Sequence, residues 1–164
     1  KSMSITDDTF KELMKRFASG VTLITFENDG NYSGLTVSSF CSLSMDPPLI
    51  LICIDKKIPS HESLKNGSHF GVNICTSKQG KLAWDFANSN VDKNELILSL
   101  NHNITENKVP LLDDCLASME CTIKGTYEGG DHTIFIGQIE EGNFDEESDP
   151  LVYYKSGLGD FTPN

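Results

Sequence analysis

Residues 34–55 constrain the chain more than any other stretch. They read Gly-Leu-Thr-Val-Ser-Ser-Phe-Cys-Ser-Leu-Ser-Met-Asp-Pro-Pro-Leu-Ile-Leu-Ile-Cys-Ile-Asp. Leu35, Val37, Cys41 and Leu43 fall on odd positions, Thr36, Ser38, Ser42 and Ser44 on even ones. That period of two belongs to a half-buried strand, whose successive side chains point to opposite faces. The phase slips at Ser39-Phe40, which predicts a kink or bulge that re-aims the side chains there. The polar face is all hydroxyl and carries no charge. Hydroxyls donate and accept, so such a row suits a ligand edge of alternating carbonyls and ring nitrogens, or a phosphate. Asp46-Pro47-Pro48 ends the strand because proline fixes its own φ and holds the preceding residue extended. Leu49 to Ile54 is continuously apolar, which predicts a short strand buried on both faces.

At 164 residues a single domain over 1–164 is expected, large enough for a core without staples. The net charge is −11 and Arg16 is the single arginine. Phosphate-backbone binding needs clustered cations, so neither nucleic acid nor an anionic membrane is an expected partner. With no signal-peptide pattern and no apolar run of membrane-spanning length, a cytoplasmic protein is expected. The five cysteines, Cys41, Cys53, Cys75, Cys115 and Cys121, form no C-x-x-C pair. Their spread predicts small buried apolar residues in strands, with neither a disulfide framework nor a metal site.

In order, Thr6 or Thr9 caps a first helix carrying Phe10, Leu13, Met14 and Phe17 at helical spacing. Val21 to Phe26 and the key stretch form strands joined by a turn at Asn28-Asp29-Gly30-Asn31. Ser60 is placed to cap a short helix, and Phe70 to Thr76 is a strand with Asn73 in its apolar interior. Ser77 is expected to cap a helix with Leu82, Trp84 and Phe86, and another follows near Asp92 to Ser99. Leu100 to Leu112 reads as irregular connection. Strands are expected from Ala117 to Lys124, from His132 to Glu140 and from Leu151 to Tyr154. This predicts a mainly β fold with peripheral helices, an antiparallel barrel.

Hydrolytic and phosphate-loop motifs are missing, and Gly157-Leu-Gly159 has no helix after it. The pairs Asp113-Asp114 and Glu140-Glu141 read as solvated turns. His61, His69 and His102 lie in polar surroundings and are expected at the surface. His132 stands apart, following a Gly-Gly-Asp turn at a strand start from which an imidazole can project. The hydroxyl strand could equally be an exposed sheet face, since threonine is common in strands.

Four pieces together carry a resemblance: Ser19-Gly20-Val21-Thr22 with Thr25; Gly34-x-Thr36-Val37-Ser38-Ser39-Phe40-x-Ser42-x-Ser44-x-Asp46-Pro47-Pro48-Leu49; Gly71-Val72-Asn73-Ile74; and Gly130-Asp131-His132-x4-Gly137. Over about residues 10–155 the chain resembles the short-chain flavin reductases of the flavin reductase-like family. The resemblance implies an FMN-binding split β-barrel of antiparallel Greek-key type, a homodimer, and transfer of reducing equivalents from NADH or NADPH to FMN or FAD. It further implies delivery of reduced flavin to a partner monooxygenase. By the same resemblance, Thr36, Val37, Ser38, Ser39 and Ser44 line the isoalloxazine and ribityl chain. Cys53, Ile54, Asp55, Lys57 and Ser60 hold the ribityl and phosphate side, and His132 approaches the nicotinamide. Many relatives carry a serine where this chain has Ile58, which thins the implied phosphate contacts. Flavoredoxin-like electron carriers, ferric reductases and non-catalytic FMN-binding proteins share these features and remain open alternatives. The choices between NADH and NADPH, and between FMN and FAD, are open too.

Overall fold

The computed structural model describes residues 4–164. Helix α1, Asp7–Met14, starts at Thr6, whose hydroxyl accepts the Thr9 N–H at 3.2 Å. There follow β1 (Ser19–Gly20), β2 (Thr22–Asn28), β3 (Asn31–Val37), β4 (Phe40–Ser44) and β5 (Leu49–Asp55). Next come α2 (Ser60–Asn66), β6 (His69–Ile74), α3 (Gly80–Ala87) and α4 (Lys93–Ser99). The chain closes with β7 (His102–Ile104), β8 (Pro110–Leu112), β9 (Ala117–Gly129), β10 (His132–Phe144), β11 (Leu151–Tyr154) and β12 (Gly157–Asp160). The expected mainly β fold with peripheral helices is what forms. Among the described residues no helix is long and apolar enough to cross a membrane.

Seven strands make one antiparallel sheet in the order β3-β2-β6-β9-β10-β5-β4. The strands β3 and β4 are consecutive in the chain yet stand at opposite ends of that order. The two-residue corner Ser38-Ser39 therefore brings the ends of the sheet together. At the corner the Cys53 N–H donates to the Ser39 carbonyl at 3.1 Å, and the Ser39 hydroxyl donates to the Cys53 carbonyl at 2.8 Å. Beyond this clasp β3 pairs with β2 alone, so the barrel is split along the free edge of β3.

Ile24, Phe26, Val37, Ile50, Ile52, Ile54, Phe70 and Phe135 fill the barrel. A second core lies outside it, where Val21 and Leu23 of the β1–β2 segment meet Ala83, Phe86 and Ile97 of α3 and α4. Serving both cores leaves β2 buried on both faces.

Several expectations need correction. β5 is not buried on both faces: its pattern alternates, with Ile50, Ile52 and Ile54 inward and Leu49, Leu51 and Cys53 outward. The hydroxyl stretch is two strands meeting at a corner, because its two halves pair with different neighbours. Ser60 is the first helical residue of α2 and does not cap it. Thr76 caps the turn leading into α3, through a reciprocal pair with Gln79, so Ser77 does not. The segment expected to be irregular carries the β7–β8 ribbon, and β10 runs on to Phe144. His61 is no surface residue, being 2% exposed, while Cys41 lies exposed on the edge strand β4.

Candidate functional site

The free edge of β3 is the floor of the site. The Tyr32 N–H turns away from β2 and donates to Asn94 Oδ1 at 2.8 Å. Outward-facing amides recur at every second residue of an edge strand. The Gly34 and Thr36 N–H groups therefore face the groove.

Gly34 permits one wall. A Cβ built there would sit 2.6 Å from Phe86 Cε1 and 2.8 Å from the Ile24 carbonyl, so only glycine lets α3 lie this close to the strand. Thr36 fastens the same helix by donating its hydroxyl to the Ala83 carbonyl at 2.5 Å. The result is a cavity of about 840 Å³ between β3, the start of α2 with the two residues before it (Ile58, Pro59, Ser60), and the end of α3 with the turn into α4 (Ala87, Ser89, Lys93). Past Thr36 and Ala87 it meets a smaller cavity of about 200 Å³, mostly apolar, lined by Ser38, Ala83, Trp84, Tyr153 and Leu158.

The residues singled out from sequence fall into three groups. Thr36, Ser38 and Ser60 line these cavities. Ser39, Cys53, Asp55 and Lys57 line neither cavity; Ser39 clasps Cys53, and Asp55 Oδ1 accepts the Lys57 N–H at 2.8 Å to shape the loop that exposes Lys57. Val37 and Ile54 turn their side chains into the barrel core, leaving only main chain at the site. Ser44 ends β4 at the Asp46–Pro48 turn, away from the groove.

His132 opens β10 opposite Asp55 of β5 and lines neither cavity. Its Nδ1 pairs with Asp131 Oδ1 at 2.7 Å, and this contact holds the Asp131 carboxyl below the usual range. Gly130, with φ of 69°, makes the turn before it. Lys56 ties the turn to the β5–α2 loop: its N–H donates to the Asp131 carbonyl at 3.0 Å, its ammonium to the Gly130 carbonyl at 2.9 Å and to Glu128.

Sequence reasoning missed the facing wall, Trp84, Ala87, Lys93, Tyr153 and Leu158. In the sequence Trp84 is marked only as one residue of an expected helix. Its neighbours Ala83 and Phe86 are buried, whereas Trp84 is 57% exposed at the cavity mouth. The other four gave no local signal, since only tertiary packing brings α3 and β11–β12 to β3.

The lining offers main-chain amides, uncharged hydroxyls, the Lys93 ammonium and apolar walls, a set that fits a flat heteroaromatic ring with a polyhydroxyl chain. A profile of the flavin reductase like domain matches residues 14–162. The chain belongs to the flavin reductase-like family. It is 34% identical over 154 residues to the reductase component of a 4-nitrophenol 4-monooxygenase/4-nitrocatechol 2-monooxygenase of Rhodococcus opacus, covering 94% of this chain and 80% of that one. A flavin reductase of Pseudomonas putida is 29% identical over 159 residues, covering 96% of this chain and 92% of the relative. Among solved structures, the NADH:FAD oxidoreductase SgcE6 of Streptomyces globisporus, in complex with NAD and FAD fragments, superposes with a TM-score of 0.88 at 29% identity. That match covers 99% of each chain. The fold of this family member is thus the split barrel that the resemblance implied.

Proposed function

We propose that the chain is an NADH-dependent flavin reductase whose reduced flavin serves a partner monooxygenase. The flavin reductase-like family membership supports the reaction class. The observation that carries the site is the free edge of β3, with its amides and hydroxyls, opening between two apolar walls. A bound flavin supplies the two-electron chemistry, accepting hydride from the nicotinamide. The protein's own part is to bind and orient. Gly34 and Thr36 present N–H groups to acceptor atoms, and Ser38 offers a hydroxyl beside the Trp84 cavity. Thr36 has already given its proton to Ala83, so toward a ligand it only accepts. Ser60 and Lys57 serve the phosphate side, and His132 positions the nicotinamide from the start of β10. FMN and FAD both suit this donor set, and NADPH in place of NADH is the alternative reductant. Five free thiols and a nicotinamide reductant fit a reducing cytoplasm.

A homodimer completes this reading. Antiparallel sheets with a solvated outer face alternate apolar with polar. Here the outer face of β4, β5 and β10 is itself apolar: Leu51 stands opposite Ile136, Cys53 opposite Ile134, and Cys41 opposite Leu51. Leu43 and Met45 extend this face, Met45 at 93% exposure. The helix α1 separately exposes Phe10, Leu13 and Met14 and has no buried residue of its own. A second copy of the chain is the occupant proposed for this surface.

The test is NADH and NADPH oxidation measured with FMN, FAD and riboflavin in turn, alongside flavin fluorescence. Turnover with free flavin in excess of enzyme is expected, faster with NADH. Stoichiometric flavin that is never turned over would replace the reductase by a carrier.

A further inference from the structure

The narrow end of the groove differs from the wide part in charge. Among the described residues lining it none carries a charge, whereas Lys93, Asp29 and Asp92 line the wide part. Trp84 stands at its mouth and is the single tryptophan of the chain. It lies off the buried stripe of α3: Ala83 and Phe86 are buried on either side of it, while Trp84 is 57% exposed. Packing within the chain therefore does not account for an indole here, and its apolar body gains by being covered. Nor is α3 free to carry the indole away. The Thr36 hydroxyl donates to the carbonyl of Ala83, the residue before it, at 2.5 Å, and Phe86 lies against Gly34. At the foot of the same helix a Cβ built on Gly80 would meet Leu158 Cδ1 at 3.6 Å, so β12 packs there. The mouth is framed by α3, by Ser38 at the corner after β3, and by Tyr153 and Leu158 of β11–β12. An uncharged, mostly apolar slot of about 200 Å³ with an exposed indole at its mouth suits a flat neutral ring rather than a phosphate.

We propose that Trp84 packs its indole on the ring of the bound flavin and sets how long the flavin stays, which decides between retention and release after reduction. This rests on the flavin reading of the site and adds to it a residue on α3 that the family resemblance did not imply. Differences in affinity among variants of one site fall mostly in the dissociation rate. Trp84 is thus expected to act there.

Trp84→Ala removes the ring, and Trp84→Phe keeps a smaller one. Each is compared with wild type for the dissociation of FMN, riboflavin and lumiflavin, the last being the flavin ring without ribityl chain or phosphate, by stopped-flow displacement read in flavin fluorescence. Trp84→Ala is expected to release all three about ten-fold faster, by the same factor for each, and Trp84→Phe to keep most of the wild-type residence time. Because the indole is the only one in the chain, its emission in wild type should also be quenched by lumiflavin alone. Unchanged dissociation in Trp84→Ala would overturn the proposal. So would faster release confined to FMN, which would put the indole against the ribityl-phosphate part. A lower melting temperature in both variants alongside the faster release would make Trp84 a strut for α3 and overturn it as well. If wild type binds none of the three, the flavin reading fails and this proposal with it; if wild type binds them and both variants match it, this proposal alone fails.

Discussion

At the residue scale, what matters about each hydroxyl is where its proton already goes. Thr36 holds α3 through the Ala83 carbonyl, so Thr36→Val removes this tie between β3 and the helix. A loss of about 1 kcal/mol in stability, with weaker flavin binding, is expected in denaturant titration and fluorescence assays, and Thr36→Ser should recover both. If the valine variant matched wild type in both, the clasp would be idle. His132 is expected to act on the reductant. His132→Ala should raise the KM for NADH or slow hydride transfer about ten-fold, roughly 1.4 kcal/mol, and leave flavin affinity unchanged. Loss of flavin affinity and thermal stability with intact NADH kinetics would instead mean that its contact with Asp131 only braces the turn. The cysteines differ by burial: it pushes Cys75 and Cys121 up to about 12 and Cys115 to about 11. Thiolate is the reactive form, so a thiol reagent at neutral pH should label those three only on unfolding. The hydroxyl row could be read from sequence because alternation is local. The burial of His61 could not, since it depends on Thr133 of β10, whose hydroxyl lies 2.7 Å from His61 Nε2 and is 72 residues away in the chain.

At the element scale, the site depends on how closely α3 lies on β3 and how firmly the β9–β10 turn is held. Gly34→Ala drives a methyl group into Phe86 and the Ile24 carbonyl, and the backbone atom cannot yield. Overpacking of this kind costs about 1–3 kcal/mol, so a lower melting temperature and weaker flavin binding are expected together. A variant as stable and as tight-binding as wild type would show that α3 can shift without consequence. The turn is held in part by Lys56, which keeps the Glu128 carboxyl below its ordinary value of 4.5. A depressed folded pKa means that the tie contributes fully above pH 4.5 and is lost as pH falls through the lowered value. Carboxyl NMR of Glu128 should therefore titrate below pH 4.5, and Lys56→Met should return it to the ordinary range. Strand existence was largely legible from alternation and from turn residues such as Asn28-Asp29-Gly30-Asn31. Pairing was not. The slip at Ser39-Phe40 correctly marked a break, but alternation carries no information on whether a break is a bulge within one ladder or a corner between two. The same limit applies to β5, whose six apolar residues face two environments, the barrel interior and the outer face proposed to meet a second copy.

For the whole molecule, the free edge of β3 and the apolar outer face of β4, β5 and β10 follow from one topology, in which consecutive strands stand at opposite ends of a rolled sheet. The split in the barrel was implied by the resemblance, and no periodicity in the chain encodes it. The opposing wall of the groove was invisible for the same reason. Assembly is the property of the molecule most open to test. Two copies each carrying a net charge of −11 repel, so the apolar face must supply the association. Screening then favours the pair, and dimer affinity should rise between low and physiological salt. Light scattering is expected to report twice 18.1 kDa for wild type. Ile136 faces outward between Leu51 and Gly125 at the middle of this surface, and its replacement leaves the barrel interior untouched. Ile136→Glu should yield a folded monomer with an unchanged far-ultraviolet dichroism spectrum, because a buried carboxylate at a symmetric contact is paid for twice. If wild type is already an 18.1 kDa monomer with full NADH oxidation, the second copy is not needed and the apolar face serves another contact.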